Sequence, residues 1–477
     1  MAGEERPIAP LWALFALGLV AGAPYLGGGP VWDDHRLIVG HLSELDAAGV
    51  FALWTEPVGL GEAGASYYRP LAMSLLALVA PLGFVALHLL NAALHGASGA
   101  LLYHLGGRRP WALLGALFFL FHPVANEILG WASALPDALS LCLGLASVAL
   151  AGRSLVGAAL LLLLSGLSKE TGLLVLPAGI LAGMAPRAAW VAVGAAGIGL
   201  LGLRLGVGAG AAWQLADKAG LAPMALASTW SGLVLPFPFG AVRDLLALPA
   251  WLLPVGIGVF GLLTLAARKS PTGAGGLFLI AMGPIFSLGP MLSGNLGAHR
   301  YGYVAAAGIA LLVGGARVAL RTSLIVQVGM LGFVMQLVLA PQWKDDLILF
   351  GTATRGLPGS SYAWHFLGGA RLQQGDHAGA AEAFVAAVQT GHPHPADASY
   401  ALVALEQSGQ SAAAVAWGIA QQQRGFDATA LAHWARAAEA TGQRPMAREL
   451  LEQLQRADGG YEGPDWVPAF AQRLAAP

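Results

Sequence analysis

Four polar clusters interrupt the apolar first part of the chain and carry the side chains best suited to chemistry. They are VWDDHRL (Val31–Leu37), FHPVANEILGWASALPD (Phe121–Asp137), SKE (Ser168–Glu170) and HRY (His299–Tyr301). An aspartate such as Asp33 or Asp34 can take a proton from an attacking hydroxyl group. Arg69, Lys169 and Arg300 can hold a phosphate and stabilise it as charge builds on a leaving group. Together these residue types indicate transfer of a phosphate-linked group to a hydroxyl.

The composition places these clusters in a polytopic membrane protein. Of the 477 residues, 56% are hydrophobic and only 11% are charged, whereas about 25% of an ordinary soluble domain is charged. The formal net charge of −1 argues against a nucleic-acid partner. The single cysteine, Cys142, excludes an internal disulfide and carries no information about the redox compartment.

Apolar runs separate the charged clusters, and the signs of those clusters predict the topology. A helix needs about 20 residues to cross a bilayer, and purely basic clusters belong in the cytoplasm. With an uncleaved first span and a cytoplasmic N-terminus, we predict eleven spans at about residues 8–26, 84–105, 110–126, 134–152, 154–168, 171–186, 188–208, 249–267, 274–292, 301–316 and 322–341. The odd number places the C-terminal part outside, with an outer loop over residues 27–69.

One uncharged run, Leu221–Val242, does not fit this alternation. Counting it as a span would put the basic pair Arg268 and Lys269 outside. Its Pro236-Phe237-Pro238 sequence instead favours a re-entrant or interfacial segment, which is tolerated where the backbone is buried in protein.

After Pro341 the chain becomes polar, and three similar turns recur. They are QQGD, QSGQ and ATGQ, with their glycines 34 and then 33 residues apart. This is the period of a tetratricopeptide repeat (TPR), a helix-turn-helix unit that buries its apolar face by stacking on its neighbours. We therefore predict an all-α protein with a transmembrane domain at 1–343 and a TPR-like α-solenoid at 344–477. The solenoid is either a concave surface for a peptide or partner protein or a plain helical cap.

By this topology all four polar clusters lie on the outer side of the membrane. Charges at the ends of spans are expensive to keep and usually mark function. Asp33, Asp34, Glu127, Lys169 and Arg300 are therefore predicted to share one site at the outer interface. Such a site suits a donor whose lipid tail lies in the bilayer and whose phosphate lies at the surface. For any single residue taken alone, a solvated loop charge or an anchoring ion pair is the simpler interpretation.

The order of the motifs resembles that of the transmembrane-and-TPR O-mannosyltransferases and their bacterial relatives. These are GT-C glycosyltransferases, akin to the protein O-mannosyltransferases. The series here is WDD, YYRP, HPVxxExxxW, SKE, a proline-containing apolar segment, RYxY and W-K-D followed by TPRs. The resemblance implies a GT-C-like enzyme of the bacterial inner membrane with its TPR domain on the periplasmic side. Such an enzyme moves mannose or another hexose from a polyprenyl-phosphate donor, with inversion, to a hydroxyl of a protein or glycan.

The resemblance also implies roles for individual residues. By matching position, Asp33 and Asp34 form the catalytic acidic pair, with Asp33 as the predicted base. The residues predicted to bind substrate are Arg69, His122, Glu127, Asp137, Lys169, Glu170, Arg300 and Tyr301. The two aspartates also allow a divalent cation beside the phosphate. Two positions depart from the family pattern: Leu135 stands where an arginine is usual, and Tyr303 is followed by Val-Ala-Ala rather than by proline and serine.

Those departures imply a changed sugar or acceptor, or a loss of activity, and leave a second class of function open. A non-catalytic membrane anchor that displays TPRs to assemble envelope proteins predicts that VWDDHRL tolerates substitution. A transporter is less favoured because the charges lie at span ends rather than near the bilayer midplane. The histidines of the second span, His88, His95 and His104, favour hydrogen bonds between helices over metal binding.

Overall fold

The computed structural model describes residues 9–59, 66–208, 216–234, 242–293, 297–316, 322–457 and 464–475. Internal contacts divide the chain into two compact units, Met1–Leu349 and Phe350–Pro477. Both units are helical. In the described ranges the only strands are Val58–Gly59 and Ser66–Tyr67, which pair antiparallel. The predicted all-α class is therefore confirmed.

The first unit consists of apolar helices joined by short turns. Its described α-helices are Ala9–Gly22, Ala47–Ala52, Pro70–Val79, Phe84–Leu105, Pro110–Phe121, Ala125–Gly130, Leu135–Leu150, Leu155–Ser168, Val175–Leu181, Trp190–Gly206, Ala222–Gly232, Leu252–Ala267, Gly273–Phe286, Leu288–Ser293, Tyr303–Gly314 and Thr322–Leu339. Its 3-10 helices are Ala23–Tyr25, Leu42–Glu44, Ala80–Leu82, Ala132–Ala134, Glu170–Leu174, Arg187–Ala189, Ala216–Leu221, His299–Gly302 and Ala340–Trp343, and His35–Val39 is a π-helix. The next α-helix is Asp346–Gly356.

Four of the described helical segments are long and apolar enough to cross a membrane. They are Phe84–Leu105, Ala132–Leu150, Arg187–Gly206 and Ile325–Trp343. Shorter apolar helices of 10–17 residues accompany them. A described helix overlaps each of the eleven ranges predicted as spans. Many large apolar side chains on these helices are exposed, among them Val156, Ile198 and Leu262, which is the surface that a helix presents to lipid.

Three parts of the topology predicted from sequence either differ from the structure or lie outside the residues that it describes. The apolar helix Pro70–Val79 was not predicted. The proposed re-entrant segment contains the helix Ala222–Gly232, whereas its Pro236-Phe237-Pro238 sequence lies outside the described residues. Arg317 and Arg321, the basic residues between the last two predicted spans, also lie outside them.

The first helix and helix Phe84–Leu105 cross through facing glycines. A Cβ atom on Gly18 would lie 2.2 Å from the Cα atom of Gly96, so even an alanine would force the two backbones apart. Small residues at such crossings are typical of helices packed in lipid. The first helix ends four residues after Gly18, at Gly22, and the WDD segment begins ten residues later.

The described part of the loop at residues 27–69, which is predicted to be outside, packs against the protein. Leu42 and Leu53 are buried in one apolar cluster with Leu76 of helix Pro70–Val79. The helices of this loop are short, and they bury Leu37, Ile38 and Leu42. Val39 and Phe51 are exposed, and helix Ala47–Ala52 contains no buried residue.

The second unit is a succession of helix-turn-helix pairs. Its helices after the first are Ser361–Gln373, His377–Gln389, Asp397–Gln407, Ser411–Gln421, Ala428–Ala440, Arg444–Ala457 and Val467–Ala475, with a 3-10 turn at Gln422–Arg424. Within each pair the turn contains a glycine with positive φ: 75° at Gly375, 80° at Gly409 and 81° at Gly442. Glycine is the residue that ends helices in this left-handed conformation at least cost. These are the glycines of the three turns that recur in the sequence.

The pairs bury a core made of a few large side chains and many alanines. Phe384, Leu402, Trp434 and Leu450 belong to this core. Alanine fills the closest contacts between helices, and most of the core alanines have no accessible surface. No pair could bury this surface alone, so the helices depend on their neighbours.

Candidate active site

A cavity of about 160 Å³ lies in the first unit where several helix ends meet. It is lined by Asp33, Arg36, Leu37, Arg69, Met73, Trp131, Ser133, Pro136, Asp137, Lys169, Pro290, Arg300 and Tyr301. The predicted site residues in this wall are Asp33, Arg69, Asp137, Lys169, Arg300 and Tyr301. The predicted residues outside it are Asp34, His122, Glu127 and Glu170.

Helix ends position the charged side chains of the wall. Arg69 directly precedes Pro70, whose ring suits the first position of a helix because no backbone N–H is needed there. Asp137 lies in the first turn of helix Leu135–Leu150. Lys169 stands between two helices, and Arg300 lies in the 3-10 turn before helix Tyr303–Gly314. The wall is therefore built from segments almost 270 residues apart in sequence.

Asp33 is an exposed residue that lines this cavity. Loss of surrounding water raises the pKa of its carboxyl, while the nearby charges of Arg300 and Arg36 lower it and Asp346 adds to the increase. The net effect is a pKa above the ordinary value for an aspartate. Asp33 can therefore exist as a carboxylate that accepts a proton more readily than a fully solvated one.

Asp34 has a different environment, although it is the next residue. It has no accessible surface, and its carboxylate accepts hydrogen bonds from the backbone N–H of Val31 and from the N–H and hydroxyl of Ser133. Burial raises the pKa of Asp34 to about 7, against the lowering effect of these hydrogen bonds. Asp34 thus fastens the VWDDHRL segment to the Ala132–Ala134 turn and does not line the cavity.

Two cations of the wall form buried ion pairs. Lys169 Nζ lies 2.6 Å from Asp137 Oδ1, and each side chain is only 7% exposed. The guanidinium of Arg300 pairs with the fully buried Glu127, which also accepts a hydrogen bond of 2.9 Å from the backbone N–H of Arg300. Breaking such a pair leaves an uncompensated buried charge. These pairs therefore hold the two cations at fixed positions.

Arg69 is held in a similar way through a shared carboxylate. Glu170 Oε2 lies 3.1 Å from Arg69 and Glu170 Oε1 lies 2.9 Å from Arg204. Glu170 therefore lies behind the wall and orients Arg69. Arg204 belongs to the same network.

Aromatic rings surround the guanidinium of Arg300. Its carbon lies 4.7 Å from the ring centroid of Trp131, 4.8 Å from that of Tyr301 and 5.2 Å from that of Trp32. Trp32 and Trp131 stack on each other at 5.2 Å with an interplanar angle of 25°. Cation–π attraction therefore adds to the ion pair in fixing Arg300.

Trp32 adopts a left-handed backbone conformation, with φ of 56°. This conformation is costly for a bulky residue. The carboxylate of Asp346 accepts a hydrogen bond of 2.7 Å from the Trp32 N–H and lies 3.1 Å from His35 Nε2. Asp346 thus stabilises the strained turn that carries Asp33.

His122 lies away from the cavity and bonds to the backbone. Its Nδ1 accepts from the Val124 N–H at 3.1 Å, and its Nε2 lies 3.1 Å from the carbonyl oxygen of Leu233. Because Nδ1 accepts, Nε2 must donate, which fixes a neutral tautomer. In this structure His122 links two segments of the helical unit.

Sequence reasoning missed several residues that build the site. Arg36, Trp131 and Ser133 line the cavity, and Trp32 and Asp346 position it. A signal existed for most of them, because Trp32 and Arg36 lie within VWDDHRL and Asp346 directly follows the W-K-D motif. Ser133 also lies within a quoted cluster, Phe121–Asp137, but nothing in the sequence indicates that it contacts Asp34.

The wall combines four cationic side chains with two carboxylates. These four cationic groups can hold an anion such as a phosphate, while Glu127 and Glu170 behind the wall neutralise part of their charge. The carboxylate pair considered for a divalent cation does not form in the described structure, because the Asp34 oxygens are occupied by Val31 and Ser133. Among the described residues around the cavity there is also no group of three histidine, cysteine or carboxylate ligands.

Comparisons of the chain with protein-family models, with curated proteins and with solved structures give no match.

Proposed function

We propose that the protein is a membrane glycosyltransferase that moves a hexose from a polyprenyl-phosphate donor to a hydroxyl of a protein or glycan on the outer face of the membrane. The observation that carries this proposal is the composition of one cavity wall: Asp33 lines the same space as Arg69, Lys169 and Arg300. The resemblance of the motif order to the transmembrane-and-TPR O-mannosyltransferases supports the same activity.

In the proposed reaction Asp33 acts as general base. Its carboxylate takes the proton of the acceptor hydroxyl while the hydroxyl oxygen bonds to the anomeric carbon of the sugar. The bond between that carbon and the phosphate oxygen breaks, and the phosphate leaves with the electron pair. Because attack and departure occur on opposite faces of the sugar, the anomeric configuration inverts.

The cations of the wall would stabilise the leaving phosphate. Charge grows on the phosphate as the bond breaks, so cations that are already in place lower the barrier without reorganising. The lipid tail of the donor would extend among the apolar helices, and the acceptor would enter from the water.

The direct test is sugar transfer by the purified full-length protein in detergent or vesicles, with a panel of polyprenyl-phosphate sugars. Asp33→Asn should abolish transfer because an amide cannot take the proton. Glu44→Gln is the matched control, since Glu44 is an exposed carboxylate of the same loop and lies outside the cavity. Both variants should express and elute as the wild type does; unchanged transfer by Asp33→Asn would overturn the assignment.

The second unit supports a proposal of its own. We propose that its helix pairs form a TPR-like solenoid that binds a peptide or partner protein outside the membrane. The 34- and 33-residue spacing of the turn glycines and their positive φ values support this assignment. If the protein is instead a non-catalytic scaffold, Asp33→Asn will retain full function in cells, and no donor in the panel will be consumed.

The proposed topology has eleven spans, a cytoplasmic N-terminus and a second unit outside. It can be tested by replacing Cys142 with serine and introducing single cysteines. Glu382→Cys, at a side chain that is 80% exposed, should react with a membrane-impermeant maleimide in intact cells. Gly152 lies at an exposed turn with open space around it. A cysteine introduced there, Gly152→Cys, should react only after the membrane is permeabilised.

A further inference from the structure

A cluster of side chains of the types that bind metal ions lies in the second unit. It comprises His365 of helix Ser361–Gln373, His394 of the following interhelical loop and Asp397 at the start of helix Asp397–Gln407. One ligand atom from each residue can be chosen so that all three lie within 4.8 Å of one another. The Nδ1 of His365 is 2.6 Å from Asp397 Oδ1, and the two imidazole centroids are 4.7 Å apart.

The position of Asp397 is the second feature that points to a ligand. Its side chain has no accessible surface, so ionisation requires a nearby compensating charge or donor. The described partners of its two oxygens are the His365 ring and the backbone N–H of His394, at 2.8 Å. Among the described residues, the imidazoles of His365 and His394 lie close enough to this carboxylate to compensate its charge.

We propose that His365, His394 and Asp397 bind a divalent transition-metal ion of the zinc type. Two imidazole nitrogens and one carboxylate form a ligand set that suits zinc and its neighbours, whereas magnesium and calcium prefer oxygen ligands alone. Three protein ligands leave a coordination position for water or for a group from outside. Because His394 is exposed, that position is accessible from solvent.

The ion would join consecutive helix pairs. His365 belongs to the first pair, while Asp397 begins the second, and the loop that carries His394 connects them. A metal that binds the folded arrangement but not the unfolded chain stabilises the fold in proportion to its occupancy. Zinc should therefore raise the melting temperature of the second unit.

The experiment measures zinc binding by the purified full-length protein in detergent, using isothermal titration and a chromophoric competitor. His394→Ala is the main variant, because an exposed side chain can be removed with little effect on folding. His392→Ala is the matched control, because it removes an exposed histidine from the same loop that does not belong to the cluster. Zinc bound elsewhere in the molecule contributes equally to all variants.

We expect wild type and His392→Ala to bind one equivalent of zinc more tightly than His394→Ala, by at least about tenfold. His365→Ala should weaken zinc binding similarly. Cobalt bound to the wild type should show a visible d–d spectrum, and His394→Ala and His365→Ala should both lose it. The zinc-dependent rise in melting temperature should also disappear in both. The proposal is wrong if His394→Ala binds zinc as the wild type does, or if His392→Ala loses as much affinity as His394→Ala.

Discussion

Replacing Asp346 by alanine should weaken sugar transfer by releasing the turn that carries Asp33. The Asp346 carboxylate accepts a hydrogen bond from the Trp32 N–H and pairs with His35, and its side chain is only 15% exposed. A hydrogen bond to a charged group contributes about 1.5–3 kcal/mol. That is close to the cost of about 1–3 kcal/mol for a non-glycine residue in the left-handed region. Without Asp346, this cost at Trp32 is no longer offset.

The expected result is a loss of kcat/KM of roughly 10- to 100-fold, if the whole of that free energy is needed to hold the reactive geometry. Asp346→Asn should lose less, because its amide oxygen can still accept from the Trp32 N–H. Asp345→Ala is the control: its carboxylate accepts a hydrogen bond from the Ile348 N–H at 2.9 Å. It should lose about 1 kcal/mol of stability as a helix cap but keep its transfer rate.

The assay is initial-rate transfer at several donor concentrations, with a thermal unfolding curve for each variant. The positional argument requires a loss of transfer that exceeds the loss of stability. If Asp346→Ala and Asp345→Ala show equal rates and equal melting temperatures, Asp346 only caps or stabilises, and the Trp32 turn does not depend on it.

Three further predictions concern the ion pair, the base and the helix crossing. Asp137→Asn should lower the free energy of unfolding by about 3–5 kcal/mol, because it leaves the buried charge of Lys169 without its partner. The double variant Asp137→Leu with Lys169→Met should recover most of that free energy, as measured by chemical denaturation. Arg36→Gln removes a charge that lowers the pKa of Asp33. The acid limb of the pH–rate profile should therefore move to higher pH, and raising the salt concentration should shrink that difference. Gly18→Ala should lower the melting temperature, since its Cβ would lie 2.2 Å from backbone; an unchanged value would contradict the close crossing.

The positions of most helices could be predicted because long apolar runs bounded by charges leave few alternatives. Helix Phe84–Leu105 has the bounds expected from sequence. Helix Pro70–Val79 was missed because it is too short to cross a bilayer and adjoins a longer span. The turns of the second unit were found in advance because their glycines recur at the period of a known helical repeat.

The members of the site were easier to predict than their roles. Asp33, Lys169 and Arg300 were chosen as charges at helix ends, and they line one cavity. Sequence could not distinguish the environments of Asp33 and Asp34, because the difference depends on Ser133, 99 residues beyond Asp34. Nor could it show that Glu127 holds Arg300, since that contact joins residues 173 apart.

The divergent environments of Asp33 and Asp34 assign them different tasks. A catalytic carboxylate must reach its substrate, whereas the oxygens of a carboxylate that holds the backbone must accept hydrogen bonds from the protein. Asp34 uses both oxygens on the backbone and on Ser133, and its pKa of about 7 reflects burial rather than readiness to react. Asp33 keeps its carboxylate in the cavity. Under the proposed function, the pair therefore consists of one structural residue, Asp34, and one reactive residue, and this difference favours Asp33 as the base.

The same logic applies to the cations that would bind the phosphate. Arg69, Lys169 and Arg300 are each paired with a carboxylate, so they are already fixed before any anion enters. Fixed charges lose little conformational entropy on binding and need no reorganisation as charge develops. The pairing also neutralises part of their field, which limits the affinity for a phosphate that is not yet leaving. An arrangement of this kind favours the charge-separated transition state over the bound donor, which is the condition for catalysis.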